Sequence, residues 1–132
     1  MSIVDLVKEA MEVDEQLLNE MARVGFMNDD KYEIWIRTDD PGKYPHMHIW
    51  DYSTKGKKFH CCVRLDKPEY FIHTGKEDTL NSTNKKELIK FLNKEYGGLG
   101  ITNWKRILML WNDNNSDVHI DIDSEMPDYT KL

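Results

Sequence analysis

Apolar side chains recur at helical spacing at the start of the chain and again past its middle, and between these stretches they alternate. Over residues 2 to about 25, Leu6, Ala10, Val13, Leu17, Met21 and Val24 follow a helical repeat. Ser2 is placed to cap this helix, Asp5 falls in its first turn where the dipole favours a carboxylate, and Gly25 is placed to end it. From Lys31 to Arg37 the period changes to two: Tyr32, Ile34 and Ile36 share one face, and Glu33, Trp35 and Arg37 the other. Thr38 to Gly42 has turn chemistry. A second strand follows over about 45 to 53, with Pro45 tolerated at its start. Gly56 suits a hairpin turn, and Lys58 to Asp66 is a third strand with Phe59, Cys61, Val63 and Leu65 on its apolar face. After a turn at Asp66 to Pro68, Tyr70 to His73 is a short fourth strand.

Residues 74 to 83 are polar loop. Asn84, with Glu87 in capping-box position, is expected to open a second helix with Leu88, Phe91, Leu92 and Tyr96 as its apolar face. Gly97 and Gly98 end it. Thr102 is expected to cap a third helix, in which Trp104, Ile107, Leu108 and Trp111 share one face. Val118, Ile120 and Ile122 alternate with His119, Asp121 and Asp123, the pattern of an edge strand, and the chain after about 124 is expected to be loose. The fold class that follows is α+β: an antiparallel meander of four to five strands, with one N-terminal and two C-terminal helices. A chain of 132 residues is expected to form a single domain over 1–132.

Composition narrows the function classes. The formal net charge of −6 excludes general nucleic-acid binding through phosphate contacts. Lysines 55, 57 and 58, and lysines 85, 86 and 90, read as solvated turn and helix faces. Fourteen aromatic residues (four Trp, six Tyr, four Phe) argue for an ordered core. Cys61 and Cys62 are adjacent and on a strand point to opposite faces, so they do not bridge each other. With no opening signal-like segment and no apolar run approaching the ~20 residues of a membrane span, the expected compartment is the reducing cytoplasm.

The chemistry concentrates in Lys43 to Asp51, which holds His46 and His48. On a strand these two share a face roughly 6 to 7 Å apart along the chain. They could share a divalent metal, with Asp51 or His60 as a third ligand. Register decides between the two. A two-residue turn at Lys55 and Gly56 pairs Asp51 with His60 and turns both away from the histidine pair, whereas a one-step shift brings His60 onto their face. Apolar matching favours Met47 and Ile49 toward the core. The opposite face then carries His46, His48, Trp50, His60, Cys62 and Arg64, flanked by Trp35 and Arg37, as a candidate binding surface. The metal set to test is His46, His48 and Asp51, and no other cofactor has a signature. Cys62 shares a face with His60, but nothing near it completes a nucleophilic triad. His119, Asp121 and Asp123 could hold a hard ion, although such alternation more often marks a solvated edge strand. There is no Gly-rich phosphate loop, Cys-x-x-Cys or His-Glu-x-x-His, so no motif names a reaction.

Pro45-His46-Met47-His48-Ile49 resembles the Pro-His-x-His strand signature of a small bacterial and phage domain of unknown function, often encoded in toxin–antitoxin-like gene pairs. The resemblance extends weakly to Glu87-Leu88 and Asn103-Trp104 and covers about half the chain. It implies a small α+β fold, an accessory role and importance for His46 and His48, and it implies no chemistry. The expectation is a small binding protein that engages another macromolecule, in the first place a protein, through the His/Trp/Arg face or its acidic tail. The alternative is a metal-dependent hydrolase or nuclease using His46 and His48 with Asp51 or His60.

Overall fold

The computed structural model describes residues 21–28, 31–37, 44–51, 59–72, 75, 77–98, 100–115 and 118–132. Four strands, β1 (Met21–Met27), β2 (Tyr32–Arg37), β3 (His46–Asp51) and β4 (His60–Arg64), form one antiparallel sheet in the order β1-β2-β3-β4. Two helices follow, α1 (Ser82–Asn93) and α2 (Asn103–Asn114), and a short 3-10 turn at Tyr129–Lys131. The α+β class and the antiparallel meander therefore hold. The expected N-terminal helix lies outside the described residues over 2–20.

Residues 21–27 were expected at the end of that helix and are a strand instead. A bulge between Arg23 and Gly25 shifts the register against β2. It lets Val24 and Met27, three positions apart, both enter the core, so a bulged strand imitates helical spacing. Arg106 of α2 donates to the Val24 and Arg23 carbonyls at 2.5 and 3.5 Å, satisfying groups the bulge takes out of the ladder. Gly25 lets α1 pack close to the strand. A Cβ there would meet the Phe91 ring of α1 at 2.9 Å.

The core lies on one face of the sheet. Ile34, Ile36, Met47, Ile49, Cys61, Val63 and Leu65 meet Leu88 and Leu92 of α1 and Ile107, Leu108 and Trp111 of α2. The Thr102 side chain accepts from Lys105 N–H at 3.2 Å and caps α2, as its sequence position predicts. The cap of α1 is Asn81, three residues before the expected Asn84, and it accepts from Asn84 N–H at 2.8 Å. Asn84 has the same capping chemistry but is already inside the helix. Its buried amide accepts from Asn28 and donates to Tyr32, which ties α1 to the β1–β2 end.

Two expected strands do not form. Tyr70 makes a single bridge to Val63, and Phe71 N–H donates to the Cys62 carbonyl at 2.8 Å, so this segment borders β4 without extending as a strand. Residues 118–123 are held by side chains of α2. Trp111 Nε1 donates to the Val118 carbonyl at 2.7 Å. Asn112 donates to the Ile120 carbonyl and accepts from the Ile120 N–H at 2.7 and 2.9 Å, giving the backbone the two bonds a neighbouring strand would supply. The stretch after 124 is packed, not loose. Tyr129 is fully buried, and its hydroxyl donates to the Arg64 carbonyl at 2.5 Å.

Candidate metal centre

The histidine-bearing face of the sheet is built by cross-strand pairing. His46 lies opposite Arg64, His48 opposite Cys62 and Trp50 opposite His60. On the other side of β3, Trp35 lies opposite His48 and Glu33 opposite Trp50. This register is one step from the Asp51–His60 pairing of a two-residue turn, and it puts His60 on the face of His46 and His48. Asp51 falls on the opposite face, paired with Tyr32, where its Oδ1 accepts from Phe59 N–H at 3.1 Å. The expected set His46, His48 and Asp51 is therefore not brought together, because an odd separation along a strand reverses the side chain.

A different set converges. His48 Nδ1 and His60 Nε2 are 3.0 Å apart, Cys62 Sγ is 3.3 Å from His48 Nδ1, and Cys62 Sγ is 3.6 Å from His60 Nε2. Among the described residues, this is the one group of three or more His, Cys, Asp or Glu side chains spaced to hold a metal ion. His48 and Cys62 are buried and His60 is half-buried. The two imidazoles stack nearly parallel, 5.3 Å between centroids. His60 is also held from its other side: its N–H donates to Asp78 Oδ2 at 3.0 Å, and its carbonyl accepts from Asp78 N–H at 2.7 Å.

His46 supports this group from alongside. Its Nδ1 lies 2.8 Å from the Tyr44 carbonyl, which can only accept, so Nδ1 carries the proton. The ring stacks on Phe71 at 4.3 Å, lies 5.2 Å from the His48 ring and 5.3 Å from Trp111, and is fully buried. The remaining expected surface residues divide by exposure. Arg64 is buried in an ion cluster, with a two-pronged bond to Asp66 at 2.8 and 2.7 Å, a bond to Glu69 at 3.3 Å, and the Tyr44 ring 3.7 Å from its guanidinium. The hydrogen bonds from Arg64 hold the Asp66 carboxyl below the usual range and raise Arg64 in turn. Trp35 is buried and donates to Glu33 Oε2 at 2.8 Å, and Arg23 donates to the same oxygen at 3.1 Å. Only Trp50 and His60, half-buried, and Arg37, exposed, retain substantial solvent contact.

Cys62 is the residue that sequence reasoning missed as a ligand. The signal was present: His60-x-Cys62 on one strand repeats the spacing of His46-x-His48 on its neighbour, and paired x-spaced donors on adjacent strands converge when the register matches. Cys61, next in sequence, faces the core. Burial, with added repulsion from Asp78 and Glu77, pushes its thiol up to about 12. His119, Asp121 and Asp123 are exposed and do not converge on a common point. No helix among the described residues is long and apolar enough to cross a membrane. Comparison with protein-family models, curated proteins and solved structures returns no match to this chain.

Proposed function

We propose that the chain is a small metal-binding protein that holds a borderline-soft divalent ion of the zinc type at His48 Nδ1, His60 Nε2 and Cys62 Sγ. The spacing of the three donor atoms supports this reading. A tetrahedral zinc ion, with bonds of about 2.0–2.1 Å to nitrogen and 2.3 Å to sulfur, sets its donors about 3.3 Å apart for N···N and about 3.6 Å apart for N···S. The distances here are 3.0, 3.3 and 3.6 Å. A point equidistant from three atoms so placed lies about 1.9 Å from each, and a small displacement out of their plane reaches bonding distance. Two imidazoles and a thiolate select zinc or copper over magnesium and calcium, which take hard oxygen donors.

The same geometry reshapes the two functions expected from the sequence. With Trp35, His46, His48 and Arg64 buried, the face suits a small ligand better than a broad protein interface. In this reading the metal-dependent role runs through His48, His60 and Cys62, with His46 as a packing neighbour of the site and Asp51 outside it.

The test is metal analysis of the purified full chain after zinc loading and dialysis, beside Cys62→Ser and His60→Ala. The expected result is one zinc per chain in the parent protein and loss of retained zinc in both variants, with their far-UV circular dichroism unchanged. A parent protein that retains no zinc, or variants that retain as much as the parent, overturns the proposal.

A further inference from the structure

Trp50 carries a feature that the three metal donors do not explain. Its indole Nε1 is buried and has no hydrogen-bond partner among the described residues. A buried N–H left unpaired loses its hydration without compensation, so native structures rarely keep one without a reason. The neighbouring tryptophan sharpens the contrast. Trp35 lies 5.5 Å from Trp50, ring to ring, and donates its own Nε1–H to Glu33. Trp50 stands directly opposite His60 in the β3–β4 ladder, on the same face, with its ring 6.2 Å from the imidazole. A donor in search of an acceptor therefore sits beside a cluster whose three protein donors supply three of the four positions of a tetrahedral ion.

We propose that the His48–His60–Cys62 centre takes a small carboxylate as an additional ligand of its metal ion, and that the Trp50 indole N–H donates a hydrogen bond to it. This inference rests on the metal-binding reading of the same cluster. A carboxylate answers both needs at once: one oxygen completes the coordination of the ion, and the second accepts from the indole. Trp50 and His60 are half-buried while His48 and Cys62 are buried, so the side of the cluster nearer solvent is the side on which Trp50 stands. The net positive charge of a divalent ion held by two neutral imidazoles and one thiolate would thus select small anionic oxygen ligands, with Trp50 as the residue that orients the bound one.

The experiment uses the full chain loaded with cobalt(II), whose visible ligand-field bands report coordination, and acetate as the probe at constant ionic strength. The expected result is a saturable change in the cobalt bands on adding acetate. In the zinc-loaded protein, acetate should also move the Trp50 indole proton resonance downfield, a readout that needs no substitution. At full cobalt loading, Trp50→Phe should weaken acetate binding about tenfold, the size of one charge-assisted hydrogen bond. Cobalt bands that ignore acetate, an indole resonance that does not move, or a Trp50→Phe protein that binds acetate as tightly as the parent overturns the inference. Failure of cobalt to bind at all is a separate result, and it removes the metal centre itself.

Discussion

Cys61 and Cys62 are neighbours in the chain and belong to different chemical environments. Cys61 faces the apolar layer between sheet and helices, fully buried beside Val63 and Leu65 in a core where nothing favours its thiolate. Cys62 points the other way, toward two imidazole nitrogens at 3.3 and 3.6 Å. The same division runs through the whole sheet. One face carries Ile34, Ile36, Met47, Ile49 and Val63 against two helices. The other carries Glu33, Trp35, His46, His48, His60 and Arg64, a buried polar layer connected by hydrogen bonds and ring contacts. The difference teaches that burial alone does not separate scaffold from site. Both faces are largely buried, and what separates them is whether the buried groups can carry charge or donate to one another.

The comparison breaks most visibly on stability. Leu108→Ala, on the core face, should lower the unfolding free energy by about 2–5 kcal/mol in urea or guanidinium titrations, the usual range for a buried leucine. Cys62→Ser, on the other face, should cost less than Leu108→Ala in the metal-free protein. The reverse order would mean that the polar face, not the helix-packed one, carries the fold.

An intermediate effect distinguishes the two thiols by pH. Cys61 is neutral in the folded state until about pH 12, whereas in the unfolded chain it ionises near its ordinary value of 9.0. Because the folded value is raised, its contribution to stability is complete below pH 9 and is lost as pH climbs through the interval to 12. At pH 10 the loss should be about 1.4 kcal/mol relative to pH 8, from one pH unit above the unfolded value. Cys61→Ala should remove that share of the alkaline slope, as read by denaturant midpoints at both pH values. An unchanged slope would show that Cys61 is not the apolar-face thiol described here.

The smallest effect tests the rim of the polar face. Asp66 is held below the usual carboxylate range by Arg64, so its contribution is present at neutral pH and fades as pH falls below about 4. Asp66 retains about a third of its side-chain exposure, and solvent screening limits the pair to about 1 kcal/mol or less. Asp66→Asn should therefore lower stability slightly at pH 7 and by less at pH 3. Equal losses at both values would point to packing, not charge, as the role of Asp66.

Much of the scaffold was legible in the chain, for particular reasons. The β2, β3 and β4 strands were read from a strict two-residue alternation whose apolar members all reach the core: Ile34 and Ile36, Met47 and Ile49, Cys61 and Val63. The α2 helix was read from Thr102 and the Trp104, Ile107, Leu108, Trp111 face, each of which is buried. β1 was not legible, because Met21 and Val24 continue the helical repeat that precedes them, and the groups that stabilise the bulge lie far along the chain, Arg106 82 residues from Val24 and Phe91 in α1. The tail was misread for a similar reason. Its backbone is satisfied by the side chains of Trp111 and Asn112, and no pattern within 118–123 encodes those partners.

The sequence by itself determined the two-faced character of the sheet, since alternation assigns every second residue to one side whatever the strand pairs with. It therefore determined that His46, His48, Trp50, His60, Cys62 and Arg64 belong to one face once β3 and β4 pair in the favoured register. The structure has that register, and only the tertiary structure decided which of these donors meet. A single step along β4 separates Asp51 opposite His60 from Trp50 opposite His60, and apolar matching of Met47 and Ile49 with Cys61 and Val63 favours the second, which is the pairing found. The choice is made by long-range packing of Met47, Ile49, Cys61 and Val63 against the helices, and by Asp78 bonding to the His60 backbone from the far side. Convergence of His48, His60 and Cys62 to within 3.6 Å is thus a product of the fold, although each residue was visible in the chain.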